Sequence, residues 1–371
     1  MSNTSVYLDY AATTPVKPEV IKAMTLALES HGNASSVHGF GRDARHKVEG
    51  ARALIAKRYH TKPSQITFTS GATEANNLAF HQFVGRPHIV SAIEHPSIMQ
   101  TAHAPLIIDV QEDGAINLNS LEELLKANPH AFVSIMLVNN ETGVIQPVKE
   151  AAALAKEYGA IIHCDAVQGA GRMPINFKDL GVDMMSISAH KLGGPQGIGA
   201  LIANDTIKLA PMITGGSQES RKRAGTENVA AITGFGCAVE LIDADLEKAS
   251  EWIKWRGMFE MLITQRVPQA KVFGADAPRV AGISCITMPG VRNDTQLMAF
   301  DLAGVAVSSG SACSSGKVQP SPVLKAMGAS EADATSAIRV SFGWGTSIAE
   351  LEKLAELWLN LYQRSSKTKA A

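Results

Sequence analysis

The sequence predicts an α/β fold built on a mainly parallel sheet, followed by a smaller α+β domain. Three observations predict it. Short β-branched runs alternate with helical stretches through the middle of the chain, this pattern changes after about residue 247, and 371 residues exceed what one hydrophobic core usually serves. Strand–helix alternation of this kind favours parallel strands that are covered by helices on both faces.

Six apolar runs are the predicted strands of the sheet, and they occupy residues 66–70, 88–94, 132–140, 160–168, 183–190 and 197–204. Helical segments follow the first three runs, beginning with a segment near Glu74 and continuing with SIMQTA and VKEAAALAKEYG. Because each helix can return the chain to the same edge of the sheet, parallel pairing is expected. We therefore assign residues 15–247 to one large domain.

The remaining chain has a different pattern of predicted secondary structure. Long amphipathic helices are predicted at 247–265 and 348–362, with the strand candidates GISCITMP and AIRVSF between them. We expect residues 248–371, joined by residues 1–14, to form a small α+β domain. The last residues, 365–371, read SSKTKAA and are expected to be a polar tail.

Composition argues against several classes of protein. The formal net charge is −1, from 34 basic and 35 acidic residues, so nothing indicates binding to nucleic acid or to an anionic membrane. The first residues lack the basic start and apolar stretch of a signal peptide, and no apolar run is long enough to span a bilayer. We expect a cytoplasmic protein. The four cysteines form no CxxC pair, so neither a disulfide nor a bound metal is expected.

Three residues could together bind one ligand. Lys191 lies between an apolar strand and a glycine-rich turn, where desolvation could suit it to bond an aldehyde, although such lysines are more often solvated. Asp165 ends a strand and needs a partner, either a pyridinium nitrogen or a helix terminus. Thr73 begins a helix that could bind phosphate or only be capped. All three follow strand ends, where open α/β sheets bind ligands, so together they predict a pyridoxal-phosphate site.

Further motifs extend this pattern along nearly the whole chain. They are YLDYAATTP at 7–15, GNASSVHGFGR at 32–42, TSGATEANN at 69–77, EHPSI at 94–98, NNETGVIQP at 139–147, HCDAVQ at 163–168, SAHKLGGPQGIGAL at 188–201, RAGTEN at 223–228 and SSGSACSS at 308–315. In these motifs the sequence resembles the class V branch of the fold-type-I pyridoxal-phosphate enzymes, and within it the NifS/IscS-type cysteine desulfurases. The resemblance implies a mainly parallel seven-stranded sheet, a homodimer and bound pyridoxal 5'-phosphate.

The resemblance also implies a reaction. Sulfur would pass from L-cysteine to Cys313 as a persulfide, with release of L-alanine, and then to an acceptor protein or scaffold for iron–sulfur cluster or thio-cofactor synthesis. Cys313 lies in a loop rich in serine and glycine, as a reactive thiol would, whereas Cys164, Cys237 and Cys285 lie in apolar runs. Lys191 would remove the α-proton.

Particular roles follow from the same resemblance. Lys191 would hold the cofactor covalently, Asp165 would pair with its ring nitrogen, and His95 would stack on the ring and move protons. The phosphate would be bound by Ala72, Thr73, Ser188 and His190, and by Thr226 of the partner subunit. Gln168 would bind the phenolic oxygen, with Asn140 close to it. The substrate would be bound by Asn33, Asn140 and Arg339, and Arg339 would bind its carboxylate.

Three other functions share part of this pattern. A class V aminotransferase would use Lys191 and Asp165 but would not need a loop cysteine, and it would consume a keto acid. A selenocysteine lyase would prefer selenocysteine over cysteine. A non-catalytic assembly partner would have lost its cofactor, and retention of Lys191 with its neighbours argues against that reading.

Overall fold

The computed structural model describes residues 5–310 and 320–370, with side chains as far as residue 366. The strands are β1 Val6–Tyr7, β2 Ile66–Thr69, β3 His88–Ser91, β4 Leu106–Ile108, β5 Phe132–Met136, β6 Ile161–Asp165, β7 Met184–Ser188, β8 Gly199–Ala203, β9 Ile283–Thr287, β10 Val305–Ala306 and β11 Ala337–Ser341. The helices are α1 Pro18–Glu29, α2 Gly39–Arg58, α3 Ala72–His81, α4 Pro96–Met99, α5 Leu118–Ala127, α6 Val148–Glu157, α7 Phe177–Leu180, α8 Val229–Glu240, α9 Ile242–Glu247, α10 Ala249–Arg266, α11 Asn293–Leu302, α12 Pro322–Ala326, α13 Glu331–Ser336 and α14 Ile348–Ala370.

The central sheet has seven strands in the order β2-β8-β7-β6-β5-β3-β4. Strand β8 runs antiparallel to both of its neighbours, and the other pairs are parallel. All six predicted runs are strands of this sheet. The seventh, β4, was absent from the predicted runs because it is a three-residue edge strand whose central residue is exposed, so it forms no buried apolar run.

The parallel strands bring their carboxyl ends to one edge of the sheet. Asp165 ends β6 and Ser188 ends β7, and the antiparallel β8 begins there with Gly199, which pairs with both Ser188 and Thr69. A Cβ atom on Gly199 would lie 2.7 Å from the carbonyl carbon of Gly71, so glycine allows the two backbones to meet. The turns after β2, β6 and β7 therefore converge at this edge.

A second hydrophobic cluster lies outside the sheet. Leu8 from the N-terminal segment packs in it with Trp252 and Phe259 of α10 and with Trp358 of α14, beside the antiparallel pair β9–β11. This cluster supports the proposed small domain of residues 1–14 and 248–371, whose boundaries stay a prediction.

The two long helices expected in this region are confirmed as α10 and α14. The helix end expected at residue 362 is wrong, because α14 continues through the polar stretch to Ala370. This stretch contains neither glycine nor proline, and lysine near a helix C-terminus is favourable to the helix dipole. Within the described part of the chain, no helix has the length and apolar character needed to cross a membrane.

Candidate active site

A cleft of about 1060 Å³ lies at the carboxyl ends of the sheet strands. It is lined by ten of the residues that the sequence singled out, namely Ala72, Thr73, His95, Asn140, Asp165, Gln168, Ser188, His190, Lys191 and Arg339. Two others, Asn33 and Thr226, are exposed elsewhere on the chain and do not line it. The side chain of Asn33 instead accepts a hydrogen bond from the backbone N–H of Ser35.

Lys191 reaches the cleft from a short 3₁₀ turn, Ala189–Lys191, that directly follows β7. Its Nζ donates to the backbone oxygens of Ala11 at 2.5 Å and Ala12 at 2.7 Å. Burial lowers the pKa of this amine to about 7, assisted by the positive charges of Arg339 and Arg172. A large neutral fraction near neutral pH makes the amine a nucleophile and a proton acceptor.

Asp165 is buried, with both carboxylate oxygens in hydrogen bonds. Its Oδ2 accepts from Nδ2 of Asn76 at 2.9 Å, and its Oδ1 accepts from the backbone N–H of Val167 at 3.1 Å. The carboxylate therefore closes a turn after β6 instead of capping a helix, and it stays at the cleft surface. An anionic group at this position suits a cationic ring nitrogen.

The first turn of α3 has the features of an anion site. Its N-cap residue, Gly71, provides no side-chain cap, and the next residues, Ala72 and Thr73, line the cleft. Backbone N–H groups in such a turn point toward an anion, and the helix dipole adds to the attraction. Glu74 is kept from opposing that anion because its carboxylate is paired with Arg223 at 2.9 Å.

The segment that contains Arg223 is fastened to the same region by a second pair. Glu219 accepts from both terminal nitrogens of Arg52 at 2.8 Å and from the backbone N–H of Phe68 at 2.9 Å. Residues 219–221 all have positive φ angles, of 46°, 55° and 64°, although none is glycine. Two ion pairs therefore hold a left-handed backbone turn against β2 and α3.

The N-terminal segment forms one wall of the cleft. Gln168 donates from Nε2 to the backbone oxygen of Ala11 at 2.8 Å, while its buried Oε1 has no partner among the described residues. Nδ1 of His190 lies 3.2 Å from the hydroxyl of Thr13, and burial together with the charge on Lys191 lowers the pKa of His190 to about 4. A buried acceptor without a donor fits a ligand hydroxyl such as that of pyridoxal.

Arg339 lies on β11 and is only 5% exposed. Its guanidinium donates to Oδ1 of Asp9 at 2.7 Å and to the backbone oxygen of Asn140 at 3.0 Å. This is a buried ion pair and not the surface pair that an edge-strand arginine usually makes. A planar, desolvated fork of donors at the cleft suits a carboxylate ligand.

Cys313 lies outside the described residues. The described residues before and after 311–319, namely Ser308, Gly310 and Pro320, line the cleft. Cys164 and Cys285 are buried and burial raises the pKa of each thiol, which agrees with the structural role expected of them. In the described ranges, no group of His, Cys, Asp or Glu side chains is arranged to hold a metal.

Sequence reasoning missed several functional neighbours. Asn76 and Ser97 connect Asp165 to His95 through hydrogen bonds, and both residues stand in motifs that the sequence analysis quoted. Glu94, the residue before His95, is buried, and burial raises its pKa to about 8.

Comparison with known families decides the relationship. The aminotransferase class-V family matches residues 6–354. The chain belongs to this family. A class-V relative, the cysteine desulfurase IscS of Dictyoglomus turgidum (strain DSM 6724 / Z-1310), is 40% identical over 361 residues, covering 93% of this chain and 91% of the relative. The fold-type-I architecture implied by the sequence is confirmed.

Solved structures agree with this class-V assignment. The NifS-like protein from Rickettsia africae ESF-5 superposes with a TM-score of 0.91 at 37% identity, covering 97% of this chain and 99% of that one. SspA, solved in complex with cysteine, gives a TM-score of 0.79 at 31% identity, with 91% and 99% covered. The resemblance to NifS/IscS-type proteins is therefore confirmed over nearly the full length of the class-V chain.

Proposed function

We propose that this class-V chain is a pyridoxal-phosphate-dependent cysteine desulfurase, a sulfurtransferase that moves sulfur from L-cysteine to Cys313 and releases L-alanine. One observation carries the proposal: the cleft that contains Lys191, Asp165 and Arg339 is also lined by Gly310 and Pro320, which flank the segment with Cys313. An aminotransferase would not need a thiol there. The cysteine desulfurases among its relatives support the same reaction.

Residues already described would hold the cofactor. The first turn of α3, at Ala72 and Thr73, would bind the phosphate together with Ser188 and His190. Asp165 would pair with the ring nitrogen, and Lys191 would form the covalent attachment. Gln168 and Asn140 would lie at the phenolic oxygen, and the unpartnered Oε1 of Gln168 supports this placement. When bound, pyridoxal phosphate supplies an electron sink for charge that develops on the substrate carbon.

The chain's own side chains would then perform the remaining steps. Arg339 would bind the substrate carboxylate, with Asn140 close to the substrate as well. Asn33, which the resemblance also assigns to the substrate, lies outside the cleft of its own chain. Nζ of Lys191 would accept the α-proton in its neutral form, which its lowered pKa favours. The thiolate Sγ of Cys313 would bond to the substrate sulfur while the bond between that sulfur and the β-carbon breaks. The β-carbon would take up a proton, Nζ of Lys191 would return the α-proton to the α-carbon, and L-alanine would leave while the persulfide remains on the enzyme.

A homodimer and a sulfur acceptor belong to the same proposal. Apolar side chains of α1 and the segment after it are exposed, including Leu28 at 72% and Val37 at 88%, which is unusual for a surface without a partner. Thr226 is exposed outside the cleft of its own chain and would bind phosphate in the partner's site. The acceptor would be a thiol protein or scaffold in the cytoplasm, serving iron–sulfur clusters or thio-cofactors.

Alanine release from L-cysteine by Cys313→Ser tests the function. We expect turnover to be lost while the absorbance of the bound cofactor stays unchanged, because the nucleophile is removed and the cofactor site is intact. Cys237→Ser, at a half-buried cysteine away from the cleft lining, is the matched control and should retain turnover. Undiminished turnover in Cys313→Ser would refute the assignment, and consumption of a keto acid by the wild type would favour an aminotransferase.

A further inference from the structure

Two donors from Ser97 reach the same nitrogen of the His95 ring. The backbone N–H of Ser97 donates to Nδ1 at 3.1 Å, and the Ser97 hydroxyl lies 2.8 Å from that same atom. Since a backbone N–H can only donate, Nδ1 must be an acceptor, and the hydroxyl must therefore donate to it as well. In the neutral imidazole, the proton then resides on Nε2.

Asn76 determines the direction of the hydroxyl bond. Its Nδ2 donates at 2.9 Å to Oγ of Ser97 and at 2.9 Å to Oδ2 of Asp165. The reverse amide orientation would place Oδ1 against the carboxylate, so the nitrogen must face Asp165. Ser97 thus accepts from Asn76 and directs its own hydrogen to His95.

The bridging residues are well shielded from solvent, which strengthens these bonds. Asn76 is fully buried, and Ser97 and Asp165 are nearly so. The cost of this arrangement is visible at Oδ1 of Asn76, which is buried and has no partner among the described residues. Because the Asn76 amide makes two donor bonds while its own oxygen stays unpaired, we attribute the role of Asn76 to its two N–H donors.

We propose that Ser97 and Asn76 are positioning residues that hold neutral His95 as its Nε2–H tautomer, so that His95 donates a hydrogen bond to an acceptor in the cleft. Under the proposed function, on which this role rests, the acceptor is the sulfur or carboxylate of the bound amino acid. Burial and the charge on Lys191 lower the pKa of His95, while Asp165 opposes them, and the net effect favours the neutral ring. His95 is then a hydrogen-bond donor through Nε2, which specifies the proton-moving role that the family resemblance implies for it.

The test is nitrogen NMR of the full-length chain labelled with ¹⁵N-histidine, at pH 8, with and without pyridoxal phosphate. His95→Gln identifies the relevant ring signals by their loss. We expect Nδ1 of His95 to show the chemical shift of an unprotonated acceptor and Nε2 that of a protonated nitrogen.

Substitutions of Ser97 then test the cause. Ser97→Ala keeps the backbone donor and removes the hydroxyl, so the ratio of the Nδ1–H to the Nε2–H tautomer should rise roughly threefold to tenfold, the effect of one neutral hydrogen bond. Ser97→Thr should restore the wild-type ratio. Thr101→Val is the control, because it removes a comparable bond to Asn77 in the same segment without touching the ring.

A protonated Nδ1 in the wild type, or a tautomer ratio that Ser97→Ala leaves unchanged, would overturn the inference. The tautomer is observed without turnover, so this failure is distinct from failure of the proposed function. Absence of alanine release from the wild type would reject the desulfurase and leave the tautomer assignment standing.

Discussion

The pH dependence of covalent capture by Lys191 tests the electrostatics of the cleft. Burial and the charges of Arg339 and Arg172 lower the pKa of the amine to about 7 from 10.5. With a pKa of about 7, about 90% of the amine is neutral at pH 8 and nearly all of it at pH 10. With the ordinary pKa, the neutral fraction would be roughly 0.3% at pH 8 and about 25% at pH 10. Capture should therefore be almost flat from pH 8 to 10, whereas an unperturbed lysine would react roughly 75-fold faster at the higher pH.

Capture is measured by adding pyridoxal phosphate to the cofactor-free protein, reducing with borohydride at timed intervals and quantifying the modified peptide that contains Lys191. The capture rate of N-acetyl-lysine methylamide, divided at each pH by that amine's own neutral fraction, corrects for the titration of pyridoxal phosphate itself. Lys191→Ala reports capture at other amines. From pH 8 to pH 6 the rate should fall about tenfold, since protonation then removes most of the neutral amine. A corrected rate that climbs by tens of fold between pH 8 and 10 would refute the lowered pKa.

Three further results are expected. Arg339→Lys should raise the KM for L-cysteine roughly tenfold to hundredfold in alanine-release kinetics, because a point charge replaces a fork of charge-assisted donors; an unchanged KM would remove Arg339 from substrate binding. Glu219→Gln should lower the free energy of unfolding in urea by about 3 kcal/mol, since the buried Arg52 is then paired only with the half-exposed Glu49. Glu49→Gln should cost less than about 1 kcal/mol, and equal losses would contradict the assignment. Burial raises the pKa of Glu94 to about 8, so the contribution of its protonated carboxyl to stability is complete below pH 4.5 and is lost as the pH rises through 8. Glu94→Gln should therefore flatten the dependence of the unfolding free energy on pH between 5 and 9, and an unchanged slope would argue against a protonated Glu94.

The strands of the sheet were predictable because their burial is reflected in their residue types. Strands β2, β3, β5, β7 and β8 are buried along their whole length and therefore read as short runs with a high share of apolar and β-branched residues. Strand β4 has a covered partner on one side only and an exposed central residue, Ile107, so its three residues could not be distinguished from a loop. The extension of α14 to Ala370 was missed because a polar composition without helix breakers is compatible with both helix and coil.

The site was predictable where a residue stands in a recognisable local motif. Asp165 ends a strand, Lys191 and Thr73 lie shortly after the ends of two others, and the sheet topology brings such positions together. Asp9 was not predictable, since it meets Arg339 from 330 positions away in the chain. Asn76 was visible in its motif, but only the tertiary fold shows that its amide faces Asp165 instead of capping α3.

The left-handed turn at residues 219–221 has a consequence for how the chain reaches Thr226. A backbone of this hand costs about 1–2 kcal/mol per residue outside glycine, so three in succession tend to uncoil wherever the turn is not anchored. Glycine at these positions would relieve the conformational cost, but it would also allow the backbone that leads to Thr226 to adopt many conformations. Keeping Glu219, Ser220 and Arg221 there restricts the backbone to a single path, as the proposed role of Thr226 in the partner's site would require.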